Sequence, residues 1–166
     1  MEFSEKSKKL LTEMGWKESR SVSIEELKLP YDDYPDVALS FLKKYGNLEG
    51  NCEKQSYSAV MNTIHIYPEQ DKEDLGGDSV YAYYESLLGR KLYPIGVYLP
   101  DGYHICCDFD GRVYKIGEYC FYVGKNLYEG IENILLMNTI QSFQLDEDTG
   151  KWWNRDGKHV ELPSLE

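Results

Sequence analysis

Apolar residues recur along this chain at two spacings, and the change between them divides it near residue 92. Over Ser4–Met14, Leu10, Leu11 and Met14 form a stripe opposite Lys8, Lys9 and Glu13, which predicts a helix capped by Ser4 and ended by Gly15. An extended segment is expected from Trp16 through Arg20, Val22 and Ile24, then a loop at Pro30–Asp33. The next predicted helix is Pro35–Tyr45. Pro35 suits its first turn, Asp36 the positive end, and Lys43 and Lys44 the negative end, with Gly46 to close it. Its apolar residues, Val37, Ala38, Phe41, Leu42 and Tyr45, recur every three and four positions. Trp16 and Phe41 are the expected core anchors of this half. Ser56–Tyr67 alternates as a strand does, with Val60, Asn62, Ile64 and Ile66 on one face. After a turn-like stretch at Pro68–Asp78, Ser79 caps a predicted helix through Leu88. Its inward residues are expected to be Val80, Tyr83, Tyr84, Leu87 and Leu88, and Gly89 ends it.

From Leu92 the period becomes two. Tyr93–Leu99, Tyr103–Phe109, Arg112–Ile116 and Tyr119–Val123 are short runs separated by Pro100-Asp101-Gly102, Asp110-Gly111 and Gly117-Glu118. Connections this short cannot carry a crossover, so the runs form an antiparallel meander, with Asp110-Gly111 the clearest hairpin signal. Gly124 breaks the pattern, and Asn126 caps a last helix carrying Leu127, Ile131, Ile134 and Leu135. Ile140–Leu145 reads as one more strand and Asp156-Gly157 as a second hairpin turn. The fold class is therefore α+β, an antiparallel meander with helices packed on one face, and no βαβ alternation points to a doubly wound sheet. At 166 residues the expectation is a single domain, 1–166.

Charge narrows the function. Twenty-nine Asp and Glu against 18 Lys and Arg leave −11 and a sequence pI near 4.7. That balance repels phosphate backbones, so direct nucleic-acid binding is not expected. It suits a basic protein partner, or serves solubility. No apolar run approaches the roughly 20 residues that span a bilayer, and the first residues show no hydrophobic signal region, so the expected location is the cytoplasm. Cys52, Cys106, Cys107 and Cys120 form no Cys-x-x-Cys pair and are expected to be reduced and buried.

His104, Cys106 and Asp108 alternate along one predicted strand, which would suit a metal or a Cys–His nucleophile. Side chains two apart on a strand lie roughly 7 Å apart, so a further ligand such as His65 or Glu118 would be needed. The alternative places Ile105, Cys107 and Phe109 in the core and the other three in a polar layer. No phosphate loop, nucleophile elbow or His-Glu-x-x-His helix occurs, so no catalytic residue, cofactor or metal is assigned. The partner-binding candidates are Glu69, Asp71, Glu73, Asp74 and Asp78, offset only by Lys72. Trp152 and Trp153 join them: neighbours on a strand point to opposite faces, so both cannot enter one core. Beside Asp146, Glu147 and Asp148 they form either an interface hot spot or a staple for the C-terminal segment.

These segments fall in a known order. The first helix with Gly15-Trp16 and Arg20, the run Ala38–Leu48 with its Gly46, Tyr93-Pro94-Ile95-Gly96, the hairpin Ile105–Asp108 with Gly111–Tyr114, and Tyr122-Val123-Gly124 before Leu127–Leu135 together resemble the third SUKH family of bacterial immunity proteins. The resemblance covers about residues 8–136 and leaves an extension at 139–166. Lys17-Glu18-Ser19 stands where the family usually has a proline and a glycine. The resemblance implies an α+β fold and a non-enzymatic protein that binds and neutralises a toxin domain, often a nuclease. An intracellular adaptor on the same fold, without a toxin partner, is the alternative.

Overall fold

The structure, a computed structural model, describes residues 1–165. Among these residues nine strands form one sheet in strict sequence order, each antiparallel to the next. They are β1 Glu49–Asn51, β2 Thr63–His65, β3 Tyr93–Leu99, β4 Tyr103–Cys107, β5 Val113–Ile116, β6 Cys120–Gly124, β7 Phe143–Leu145, β8 Trp152–Trp153 and β9 His159–Val160. The helices are α1 Glu5–Glu13, α2 Ile24–Leu27, α3 Asp36–Tyr45, α4 Val80–Leu88 and α5 Leu127–Leu135. The α+β class and the antiparallel meander are as the sequence predicts.

Local chemistry sets the helix ends. Ser4, Ser79 and Asn126 each accept a backbone N–H three residues on, from Ser7, Ala82 and Glu129. Gly89 ends α4 in the left-handed region, with φ 65°. The hairpins close as read, with Gly111 at φ 92° and Gly157 at φ 74°.

Strands β4–β6 carry apolar side chains at both parities, so both faces of the sheet need covering. On one face Ile105, Cys107, Val113 and Val123 pack with α1, α3 and α5 through Leu11, Phe41, Leu42 and Ile131. Phe41 sits at the centre of an aromatic group with Phe3, Tyr45 and Tyr128, while Trp16 is half-buried and stacked on Tyr45. On the other face Cys106, Tyr114, Ile116, Cys120 and Tyr122 form a second core. This one is covered by Tyr81 and Tyr84 of α4 and by Leu145 and Trp152 of the C-terminal strands. Thus α4 lies opposite α1, α3 and α5, and the extension beyond residue 138 contributes to a core.

Glycines permit the closest approach. A Cβ on Gly124 would collide with the Gly130 backbone, and one on Gly130 with Val113, so α5 rests almost backbone-to-backbone on β5 and β6.

Several details differ from expectation. In α4 the buried residues are Tyr81 and Tyr84, while Tyr83 and Leu87 are exposed. Tyrosine has an apolar body and a polar tip, so three tyrosines in five positions leave the inward face ambiguous. Val37 is exposed beside the Gly111 turn, and Phe109 is exposed because it belongs to the turn after β4. Within Ser56–Tyr67 only Thr63–His65 pairs, and Val60 is exposed. Trp16–Val22 forms no strand, and α2 and β1 follow it unforeseen. The last long strand begins at Phe143, after a tight helical turn over Thr139–Gln141.

Candidate functional site

The acidic segment lies between β2 and α4. Pro68 and Leu75 are buried and fix it, Leu75 in the second core, and between them a single tight turn spans Lys72–Asp74. Asp71, Glu73, Asp74 and Asp78 all project into solvent. Glu69 is exposed too, but its carboxylate lies 3.7 Å from Lys28 Nζ, which partly neutralises it. Asp74 faces His104, where burial pushes the imidazole below its ordinary value and the Asp74 charge partly opposes this. Among the described residues these four carboxylates make no ion pair, and they stand on a loop whose base is anchored by apolar contacts.

The surface continues along α4. Exposed Tyr83 hydrogen-bonds the Glu147 side chain, and this bond pushes its hydroxyl above its ordinary value. The Tyr84 hydroxyl donates to the Glu118 carbonyl at 3.2 Å. Two further acidic turns, Glu118-Tyr119 and Glu147-Asp148, thus border α4. The sequence pattern could not assemble them, since they lie about 30 and 60 residues beyond the end of the helix in the chain.

The two tryptophans part company across the sheet. Trp152 is 8% exposed, stacked on Tyr114 and edge-on to Tyr122, so it is a core residue. Trp153 faces the opposite side, half-buried, with its ring centre 3.8 Å from that of His159 and with Phe121 and Arg155 beside it. Of the candidates, the acidic residues share one surface and Trp153 lies elsewhere.

His104, Cys106 and Asp108 do share a face, but it is the second core rather than a polar layer. Burial pushes the Cys106 thiol well up, away from nucleophilic use. Asp108 is 1% exposed and already engaged: Oδ1 accepts the Asp110 and Arg112 N–H groups, and Oδ2 accepts the Tyr114 hydroxyl at 2.8 Å. Among the described residues no three His, Cys, Asp or Glu side chains are placed to hold a metal ion. No helix among them is long and apolar enough to cross a membrane.

The model of the SUKH-3 immunity protein family matches residues 3–137. The chain belongs to the SUKH-3 immunity protein family. That span holds α1 to α5, β1 to β6 and the whole acidic loop, and ends before β7. Trp152 and Trp153 therefore stand outside the part this SUKH-3 chain shares with its family. No curated protein and no solved structure matches the chain. Membership supports an immunity role, which needs a binding surface and no catalytic centre.

Proposed function

We propose that this SUKH-3 protein binds and neutralises a cognate toxin domain, a basic nuclease, by covering its active site. The observation that carries the reading is the exposed group Asp71, Glu73, Asp74 and Asp78, offset in its own segment only by Lys72, on a chain of net charge −11. A nuclease must hold a cationic cleft for phosphates, and an exposed acidic loop complements that cleft. The acidic turns beside α4 widen the negative field, which speeds encounter. Tyr83 and Tyr119, exposed among those acids, supply rigid amphipathic contact area that slows release. Trp153 is an accessory contact on the far face, and Trp152 supports the surface from within. Because β7–β9 continue the same sheet, we read residues 1–166 as a single domain. A toxin that acts on nucleic acid inside the cell requires its inhibitor in the cytoplasm.

The test is co-expression with a candidate toxin domain encoded in a neighbouring gene. Growth restored by the wild-type protein, together with a stoichiometric complex on gel filtration, is expected. A toxin that stays lethal and elutes alone would leave the adaptor reading in its place.

A further inference from the structure

Between α4 and strands β8–β9 the surface opens into a cleft of about 620 Å³. Tyr114 and Trp152 form part of its lining, with ring centres 6.1 Å apart and planes inclined by 26°. Leu87 and Val160 add apolar wall. Donors dominate the polar wall: Arg90 and Arg112, which are two of the chain's four arginines, with Lys151. The surface just described along α4 presents carboxylates, whereas this cleft groups guanidinium and ammonium donors.

The guanidinium groups are held from behind. Arg90 Nη1 lies 3.0 Å from Asp110 Oδ2 and 3.4 Å from Asp108 Oδ2. Arg112 Nη1 lies 3.3 Å from Asp110 Oδ2 and 3.8 Å from Asp108 Oδ2. Asp108 is itself fixed by two backbone N–H groups and the Tyr114 hydroxyl. Both arginines therefore spend Nη1 on the aspartates and keep their other donors. One of those is conspicuous: the Arg112 Nε is buried and has no partner among the described residues. Buried guanidinium donors are rarely left unmatched, because desolvation without a hydrogen bond is costly. Lys151 has no ion pair among the described residues either, and Glu161 is the one carboxylate among the described lining residues. His159 is held by Asp146 at 3.0 Å. Since the two aspartates offset the two arginines, the cleft offers hydrogen-bond donors rather than a strong field. Planar guanidinium groups arranged in this way match an oxyanion.

We infer that this cleft binds a carboxylate or phosphate group carried on an apolar body, with the anion on Arg90, Arg112 and Lys151 and the body against Trp152, Leu87 and Val160. The site is distinct from the acidic loop and does not rest on the toxin reading.

The test is a titration of the isotope-labelled protein with phenyl phosphate, benzoate and phenol, followed by amide and side-chain N–H resonances. At least one of the two anions should shift the Arg112 Nε–H and Trp152 indole signals saturably below about 10 mM, whereas phenol should not. Tighter binding of phenyl phosphate names a phosphate ligand, and tighter binding of benzoate a carboxylate. Arg90→Gln should weaken the tighter anion about tenfold and Lys151→Gln, at an exposed position without an ion pair among the described residues, several-fold, with amide dispersion checking that each variant is folded. The proposal fails if neither anion gives a saturable shift, if phenol shifts the same signals equally, or if neither substitution changes the affinity.

Discussion

Trp152 buries its indole against Tyr114 and Tyr122, while Trp153, one residue on, leans on His159 at the surface. Strand alternation alone separates them: the pleat sends one ring into the second core and the other to the opposite face. Trp152→Ala should therefore cost about 3–5 kcal/mol, as deletion of a buried large aromatic does. Trp153→Ala should cost less than about 1 kcal/mol, in the range of surface changes. Urea unfolding of both variants checks this, and equal losses would mean that the C-terminal strands are not seated as described. The sequence could say that the two rings diverge but not which one enters, because the second core they border is built from residues 75 to 152 and shows no local signal.

At the level of elements, legibility followed the strength of local chemistry. The four central strands and three of the helix caps could be read because Asp-Gly, Ser and Asn each satisfy a specific backbone need within a few residues. The edge strand β1, three residues long, could not, since it pairs only with β2, and of the predicted Ser56–Tyr67 strand only Thr63–His65 pairs, against β1 and β3. The placement of α4 on the opposite face was hidden for a related reason: only the assembled meander shows that both parities of β4–β6 are apolar. The acidic loop was legible as a charge run. The oxyanion cleft was not, because Arg90, Arg112 and Lys151 come from three separated segments. The seat of α5 supplies a test at this scale. Gly130→Ala improves helix propensity by about 1 kcal/mol but drives a methyl into Val113, and overpacking costs about 1–3 kcal/mol. The contact is at the Val113 Cβ, which cannot rotate away, so the loss should prevail and the melting temperature should fall. A variant that melts at or above the parent would show that α5 sits farther from the sheet.

As a whole, the molecule couples a sheet closed on both faces to a negative surface along one of them. The two covered faces give the acidic loop a stiff base, so binding need not order it first, and charge can act mainly on the rate of encounter. Exposed carboxylates contribute little to folding, so their removal leaves stability nearly unchanged. The decisive measurement is binding kinetics between this protein and a basic toxin domain found encoded in a neighbouring gene. It compares the parent with a variant carrying Asp71→Asn, Glu73→Gln and Asp74→Asn, as salt rises from about 0.1 to 1 M and the Debye length falls from about 10 to 3 Å. The on-rate should drop about tenfold with the triple substitution and also with salt, while the off-rate changes far less. An on-rate unmoved by both would remove the acidic loop from the interface and contradict the mechanism.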